Sequence, residues 1–240
     1  MLEMIRLNSL PVLVLLPGLD GTGKLFGALV NELAGRLDTL VVAYPTEQCL
    51  GYDELVDLVR AALPRDRPFA LLGESFSGPI AIRLAAGAIR GLEGVILSAS
   101  FARNPYPGLG WARGLAAYLP VKSLPRWMRA PLMWGSLSPS RATSHMERAM
   151  TGVSSAVIRH RIAALLAVDE SSALHSVAVP IQVLRAGGDR VIPKGATRHI
   201  MKLAPRAQLI TVDGPHLLLQ ACPAACADAI IGFMQRLQQP

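Results

Sequence analysis

The 240-residue sequence predicts an α/β fold, a mostly parallel, doubly wound sheet of about six or seven strands with an inserted helical cap. Short, largely apolar runs alternate along the chain with segments of helical periodicity. Such runs are typical of a parallel sheet that helices cover on both faces. The predicted strands lie near residues 12–16, 38–44, 68–72, 94–98, 180–186 and 208–212. The predicted helices lie near residues 22–35, 52–63, 76–89, 193–203 and 222–237.

The regular alternation stops between residues 98 and 176, where short helical stretches contain many Pro, Trp, Met and Arg residues. We therefore expect a core formed by residues 1–98 and 176–240, with residues 99–175 inserted as a helical cap. A chain of this length with 51% hydrophobic residues can bury a large core without disulfide bonds. Cys49, Cys222 and Cys226 have no disulfide-framework or metal-ligand spacing, so we expect ordinary thiols.

No uninterrupted apolar run reaches the length that spans a membrane, so we expect no stable membrane insertion. The apolar run at residues 10–16 leads directly into a glycine-containing loop, and cleaving it as a signal peptide would remove the first strand. A cytoplasmic protein is the simplest expectation. Nothing in the sequence indicates an oligomeric state.

Residues 71–78, with the sequence LLGESFSG, place Ser75 between small residues where an apolar run ends and a helical pattern begins. A serine hydroxyl is a weak nucleophile that must project from a sharp turn toward a base, and the turn needs small neighbours. The pattern is G-x-S-x-G with Ser77 at the second glycine position. A plain strand-to-helix turn is the alternative explanation. Glu74 is expected to favour the helix start rather than to act as a second acid.

An acid and a base follow in the order that a serine nucleophile requires. Asp189 comes directly after the predicted strand at residues 180–186, and His216 follows the next strand. Ligands bind beyond the carboxyl ends of the strands in open α/β sheets, so we expect both side chains to lie near Ser75. Asp213 is a rival acid, but Asp189 is preferred because it ends a separate strand and can approach the imidazole from the side.

These three segments together resemble the α/β-hydrolase superfamily over nearly the whole chain. The loop at residues 17–23 resembles the oxyanion loop of that family, with Pro17 where a histidine is common. The resemblance implies that the backbone N–H groups of Leu19 and Phe76 form the oxyanion hole. Only about eleven residues precede the first strand, so the sheet is expected to be truncated at its first strands.

The resemblance also implies a serine hydrolase that cleaves a carboxylic ester or thioester through an acyl-enzyme intermediate. No step of such a reaction needs a cofactor or a metal. The same fold hosts acyltransferases and non-catalytic binding proteins, and the residues do not distinguish them. The expected partner is a small-molecule acyl substrate.

Residues 18–24 also satisfy the P-loop pattern G-x-x-x-x-G-K, which favours nucleotide binding as a remote alternative. Leu25 stands where a P-loop needs Ser or Thr to bind magnesium. Residues 165–170 would have to supply an acidic strand end, but residues 162–168 are rich in Ala and Leu and continue a helical pattern. The pattern is therefore expected to be coincidental.

Residues 101–161 contain nine Lys or Arg and a single acidic residue, Glu147. A basic cap would attract an anionic substrate or an anionic membrane surface, and an ordinary solvated face is the plain alternative. No nucleic-acid-reading motif accompanies the charge, so nucleic acid is not an expected partner. In the family, such insertions shape the substrate pocket, and five large apolar side chains are candidates for it unless they only pack the cap onto the sheet. These candidates are Trp111, Trp127, Met128, Met133 and Trp134.

Overall fold

The computed structural model describes residues 10–119, 133–134 and 147–239. The strands in these residues are β1 (Val12–Leu16), β2 (Thr39–Val41), β3 (Phe69–Glu74), β4 (Leu92–Ser98), β5 (Ile181–Ala186) and β6 (Gln208–Val212). They form one six-stranded sheet in the order β2-β1-β3-β4-β5-β6, and every neighbouring pair is parallel. The predicted fold class is confirmed. Each predicted strand is present with ends within about three residues of the expected positions, as is usual for element boundaries.

Helices follow the strands and lie on both faces of the sheet. Those that lie wholly within the described residues are α1 (Gly27–Leu33), α2 (Tyr52–Ala62), α3 (Gly78–Ala86), α4 (Ser155–Ala167), α5 (Ser171–His175), α6 (Lys194–Leu203), α7 (Leu218–Ala221) and α8 (Pro223–Arg236). The same part of the chain contains 3-10 helices at Lys24–Phe26, Ser75–Ser77 and Pro107–Tyr118. No helix in the described part of the chain is long and apolar enough to cross a membrane.

Local sequence signals explain where the helices begin. Glu54 accepts a hydrogen bond from the Gly51 backbone N–H at 3.0 Å and so closes the first turn of α2. The Ser154 hydroxyl accepts one from the Val157 N–H at 3.2 Å at the start of α4. Pro223 begins α8, where its missing N–H removes no helical hydrogen bond.

The core has two halves, one on each face of the sheet, and β1 contributes to both. Val14 packs in the half that includes α2 and α3, whereas Leu13 and Leu15 pack in the half that includes α1 and α8. Because alternate side chains of β1 enter different halves and all are buried, the strand is apolar throughout. The edge strands are less covered, and Leu40 of β2 and Leu209 of β6 are among the exposed large apolar residues.

The two ends of the predicted cap pack with the core. Phe101 and Ala102 on the entering side, and Val168 and Leu174 on the returning side, belong to the same buried cluster as β1 and α2. Between them, the 3-10 helix Pro107–Tyr118 packs against α4. The division of the chain at residues 99–175 stays a prediction.

The position of Gly94 gives a test of packing between β4 and α8. A β-carbon at this position would lie 2.9 Å from the Phe233 ring and from Leu237. We expect Gly94→Ala to lower the free energy of unfolding by about 1–3 kcal/mol, because an inserted methyl group forces these side chains apart. Urea unfolding of the purified variant would measure the change. Gly195→Ala is the control, since that position in α6 is open within 4 Å and the variant should be no less stable than the wild type.

Candidate active site

Ser75 stands at the turn where β3 ends and a 3-10 helix leads into α3. Its backbone φ is 47°, in the left-handed region that residues other than glycine rarely adopt. The neighbouring glycines are required by close packing, because a β-carbon on Gly73 would lie 2.7 Å from the Ser77 carbonyl oxygen and one on Gly78 would lie 1.8 Å from Ser100 Oγ. Ser100, which follows β4, donates a hydrogen bond to the Ser75 carbonyl at 2.6 Å. The turn is thus held in its strained conformation from two sides.

Asp189, His216 and Ser75 form one continuous chain of hydrogen bonds. His216 Nε2 lies 3.0 Å from Ser75 Oγ, and His216 Nδ1 lies 3.0 Å from Asp189 Oδ2. The Asp189 carboxylate can only accept, so Nδ1 carries the proton and the Nε2 lone pair faces the serine hydroxyl. The N–H groups of Val191 and Ile192 both donate to Asp189 Oδ1 at 2.8 Å and fix the carboxylate. The side chains of Asp189 and His216 are only 7% and 6% exposed, so the arrangement is shielded from water.

Asp213, the rival acid, is exposed at the start of the loop that carries His216. His216 and Asp189 extend from neighbouring strands, β6 and β5, whose carboxyl ends lie side by side. The geometry therefore favours Asp189 as the partner of the imidazole.

Ser77 replaces the second glycine of the motif without strain. Its φ of −85° is an ordinary helical value, so this position does not need glycine. Its hydroxyl donates to the Pro17 carbonyl, and the Tyr44 hydroxyl, 2.7 Å away, must then donate to Ser77. Burial raises the pKa of Tyr44, which keeps its phenol protonated. Ser77 thus ties the nucleophile turn to the loop after β1, a connection that a glycine cannot make.

Leu19 and Phe76 line the same cavity as Ser75 and His216. Phe76 lies in the first turn of its 3-10 helix, where backbone N–H groups have no acceptor within the helix. Its ring stacks on that of Tyr52 with centroids 4.7 Å apart, and its carbonyl accepts a hydrogen bond from the Tyr52 hydroxyl at 3.1 Å. Leu19 lies in a turn that the Gly21 N–H closes on the Gly18 carbonyl at 3.0 Å. The geometry therefore allows both N–H groups to serve as the predicted oxyanion donors.

The cavity beside Ser75 has a volume of about 140 Å³ and is mostly apolar. Met133 lines it as predicted, whereas Trp134 is buried against Leu217 beside it. Trp111 is not among the described residues that line the cavity, and its 74% exposure shows that a large apolar side chain in this segment need not face the pocket. Trp127 and Met128 lie outside the described residues. Further apolar lining residues are Leu25, Pro105, Tyr106, Met150, Leu165, Val191, Ile192 and Leu217.

Residues 13–229 match the model of the alpha/beta hydrolase family. The chain belongs to the α/β-hydrolase family. The match spans the sheet, the nucleophile turn and the loops that carry Asp189 and His216. A comparison with curated proteins found no match.

Solved structures agree with this family in fold. The enol-lactonase from Burkholderia xenovorans LB400 superposes with a TM-score of 0.80 and 16% identity over 96% of this chain and 93% of its own. A thermophilic esterase from Thermogutta terrifontis gives 0.80 and 18% identity over 96% and 91%. The esterase RhEst1 from Rhodococcus sp. ECU1013 gives 0.75 and 20% identity over 95% and 91%. At these identities the likeness shows a shared fold.

The P-loop alternative is wrong for this α/β hydrolase. Residues 165–167, the first half of the run that would have formed an acidic strand, lie in α4. The buried carboxyl groups of Asp20 and Glu74 lie beside Gly18 of the supposed phosphate loop, where phosphate binding would require positive charge or free N–H groups. The loop therefore belongs to the hydrolase site.

Glu74 differs from its expected role as a residue that merely favours a helix start. It precedes the 3-10 helix, but its side chain is 4% exposed and lines the cavity. Burial is the main cause that raises the pKa of Glu74 to about 7, and the nearby Asp20 carboxylate raises it further. Gln220 of α7 donates a hydrogen bond to Glu74 Oε1 at 2.8 Å, which opposes that shift. In the sequence, the position of Glu74 at the end of an apolar strand is the feature that indicates a buried side chain.

The described basic residues of the segment 101–161 lie outside the cavity beside Ser75. Among the described residues, no Lys or Arg lines the cavity. Arg103, Arg113 and Arg148 are exposed, whereas Arg161 is 1% exposed and binds backbone carbonyls. These described side chains therefore place no positive charge within the cavity itself.

The raised pKa of Glu74 gives a pH-dependent prediction for stability. Between about pH 4.5 and pH 7, Glu74 in the folded state holds a proton that the unfolded chain has released. The stability that this proton contributes is therefore fully present below about pH 4.5 and is lost progressively as the pH rises through 7. The total loss is roughly 3 kcal/mol by linkage. We expect Glu74→Gln to lack this part of the pH dependence in urea unfolding curves measured from pH 4.5 to pH 8.5.

Glu32→Gln is the matched control, because Glu32 lies exposed on α1 and its replacement should leave the wild-type dependence in place. An unchanged slope in Glu74→Gln would contradict the assignment of this proton to Glu74.

Proposed function

We propose that this α/β hydrolase is a serine hydrolase that cleaves a carboxylic ester or thioester. The observation that carries the proposal is the unbroken hydrogen-bond chain from Asp189 through His216 to Ser75, which ends at an apolar cavity. A shielded acid, an oriented imidazole and an adjacent hydroxyl are the three parts that covalent acyl transfer needs.

In the first half of the proposed reaction, Ser75 attacks the acyl carbonyl carbon. His216 Nε2 removes the hydroxyl proton as the bond between Ser75 Oγ and this carbon forms. The imidazolium then gives that proton to the oxygen or sulfur of the leaving group as its bond to the acyl carbon breaks. Asp189 stabilises the cation on His216 through the Nδ1 hydrogen bond and itself stays ionised.

In the second half, water replaces the leaving group. His216 Nε2 accepts a proton from water as the water oxygen bonds to the acyl carbon of the acyl-enzyme. Collapse of the tetrahedral intermediate breaks the bond to Ser75 Oγ, which takes the proton back from His216. The products are a carboxylic acid and an alcohol or thiol, and the enzyme returns to its starting state.

The negative charge that forms on the carbonyl oxygen in each half needs hydrogen-bond donors. We propose the N–H groups of Leu19 and Phe76, two residues that line the cavity together with Ser75. Loss of one such donor typically reduces kcat about 100- to 1000-fold.

The mostly apolar lining of the cavity supports an uncharged acyl group as the substrate. The Asp20 carboxylate, joined by that of Glu74 above about pH 7, lines the cavity and would repel an anionic group close to the carbonyl. An anionic portion of a substrate would have to lie toward the exposed arginines outside.

Ser75→Ala tests the nucleophile with p-nitrophenyl esters from two to twelve carbons. We expect kcat to fall at least about 1000-fold, since removal of the nucleophile leaves only the oxyanion hole and substrate binding. A fluorophosphonate probe should label Ser75. Ser172→Ala, an exposed serine on α5, is the control that should keep full activity. Equal activity in wild type and Ser75→Ala would overturn the proposed role of Ser75.

Asp189→Asn tests the acid, with Asp213→Asn as its matched control in the next loop. The amide can donate to Nδ1 and so favours the wrong imidazole tautomer, which predicts a fall in kcat of about 1000- to 10,000-fold near pH 7. Asp213 is exposed, so its variant should stay within about twofold of the wild type, the range of a surface change. The reverse result would assign the acid to Asp213.

A further inference from the structure

The conformation of the oxyanion loop is fixed by contacts from outside the loop. Proposed catalysis requires the Leu19 N–H to point into the cavity, so the peptide groups on both sides of Leu19 must be held. The Gly21 N–H closes a turn on the Gly18 carbonyl, and the Tyr44 N–H donates to the Gly21 carbonyl at 2.7 Å. Neither bond is accepted by the carbonyl of Leu19 or of Asp20, so these two groups need other donors.

Arg161, on helix α4, supplies those donors. Its Nη1 donates to the Leu19 carbonyl at 3.0 Å and to the Asp20 carbonyl at 2.8 Å, and its Nη2 donates to the Pro45 carbonyl at 2.9 Å. The guanidinium carbon lies 5.6 Å from the centroid of the Tyr44 ring, within range of a cation–π interaction. One side chain therefore binds the oxyanion loop and the segment after β2 at the same time.

The loop and the arginine fit each other closely. A β-carbon at Gly21 would lie 2.4 Å from Arg161 Nη1, and the φ of 71° at Gly21 is itself in the left-handed region. Glycine is therefore required at this position both by the backbone conformation and by the space that the guanidinium occupies. Arg161 is not among the described residues that line the cavity, so it approaches the loop from outside the pocket.

Burial of a guanidinium carries a large desolvation penalty, so a gain in stability does not by itself explain the position of Arg161. Burial lowers the pKa of Arg161, as expected for a cation that has lost its water. The three hydrogen bonds described above go to carbonyl groups, and an apolar side chain of similar size often stabilises a buried site equally well. What an apolar side chain cannot do is hold two successive carbonyls of a loop in fixed directions.

We propose that Arg161 is a positioning residue for acyl transfer, which fixes the oxyanion loop from behind so that the Leu19 N–H is directed at the carbonyl oxygen of the substrate. The proposal rests on the proposed serine hydrolase function and extends it to α4, a helix of the segment that the sequence predicts as a cap. The effect on the reaction is indirect, because Arg161 contacts the loop and not the substrate.

The test compares Arg161→Met and Arg161→Lys with Arg159→Met. Arg159 is the matched control, two residues away on α4, where it donates to the Leu119 carbonyl outside the oxyanion loop. With p-nitrophenyl butyrate we expect Arg161→Met to lower kcat about 100-fold, the size of one lost oxyanion donor, with KM changed less than about threefold. The kcat of Arg161→Lys should lie between those of the wild type and Arg161→Met, because an ammonium group can bind fewer of the three carbonyls. Arg159→Met should stay within about twofold of the wild type.

A boronic acid separates positioning from a general loss of structure. Butylboronic acid forms a tetrahedral adduct with an active serine and mimics the transition state, so its inhibition constant should rise by about the same factor as kcat falls in each Arg161 variant. Wild-type values of kcat and of this constant in folded Arg161→Met or Arg161→Lys would overturn the proposal, as would a loss confined to KM. Should Arg161→Met not fold, as judged by circular dichroism, Arg161→Lys decides in the same way.

Failure of the proposed function has a different signature. A wild-type protein that neither hydrolyses the esters nor reacts with the fluorophosphonate would overturn the serine hydrolase proposal and this inference with it. Wild-type activity that Ser75→Ala abolishes and that both Arg161 variants retain would overturn only the role of Arg161.

Discussion

The left-handed backbone of Ser75 is the constraint on which the rest of the site depends. A residue with a β-carbon in this conformation is strained by about 1–3 kcal/mol and persists only where the surroundings impose it. Here the surroundings are specific: Gly73 and Gly78 leave room for the sharp turn, and the hydroxyl of Ser100 binds the Ser75 carbonyl. Ser77 then links the turn to the end of β1. In this backbone conformation the Ser75 Oγ lies within hydrogen-bond distance of His216 Nε2.

The parallel sheet brings distant segments to this turn. Because every strand runs in the same direction, the loops after β1, β3, β5 and β6 all leave the sheet at one edge. Ser75 and His216 are 141 residues apart in sequence and yet lie in hydrogen-bond contact. The loop after β1 carries one proposed oxyanion donor, the segment after β3 carries the proposed nucleophile and the second donor, and the loops after β5 and β6 carry the proposed acid and base. A single edge of one sheet is therefore sufficient to assemble the whole candidate site.

The sequence predicted those features that local patterns encode. Apolar runs gave the strands, and the residues directly after them included Ser75, Asp189 and His216. The pattern could not reveal that the hydroxyl of Ser77 would have two buried partners, since both come from distant segments. Arg161 appeared only as one of nine positive charges in the predicted cap, because periodicity along α4 does not show that the oxyanion loop covers this side chain. Long-range contacts of this kind follow from tertiary packing.

Electrostatics explains why the charges of the site lie on opposite sides of the oxyanion loop. The carboxyl groups of Asp20 and Glu74 face the cavity, while the cation of Arg161 binds the carbonyls of the same loop from outside it. A cation inside the cavity would stabilise the oxyanion directly, but it would also hold the carboxylic acid product. A cation behind the loop holds the Leu19 and Asp20 carbonyls in place without contacting that product. The Asp20 carboxylate in the lining would then favour departure of the anion, which fits the proposed hydrolysis of an uncharged acyl group.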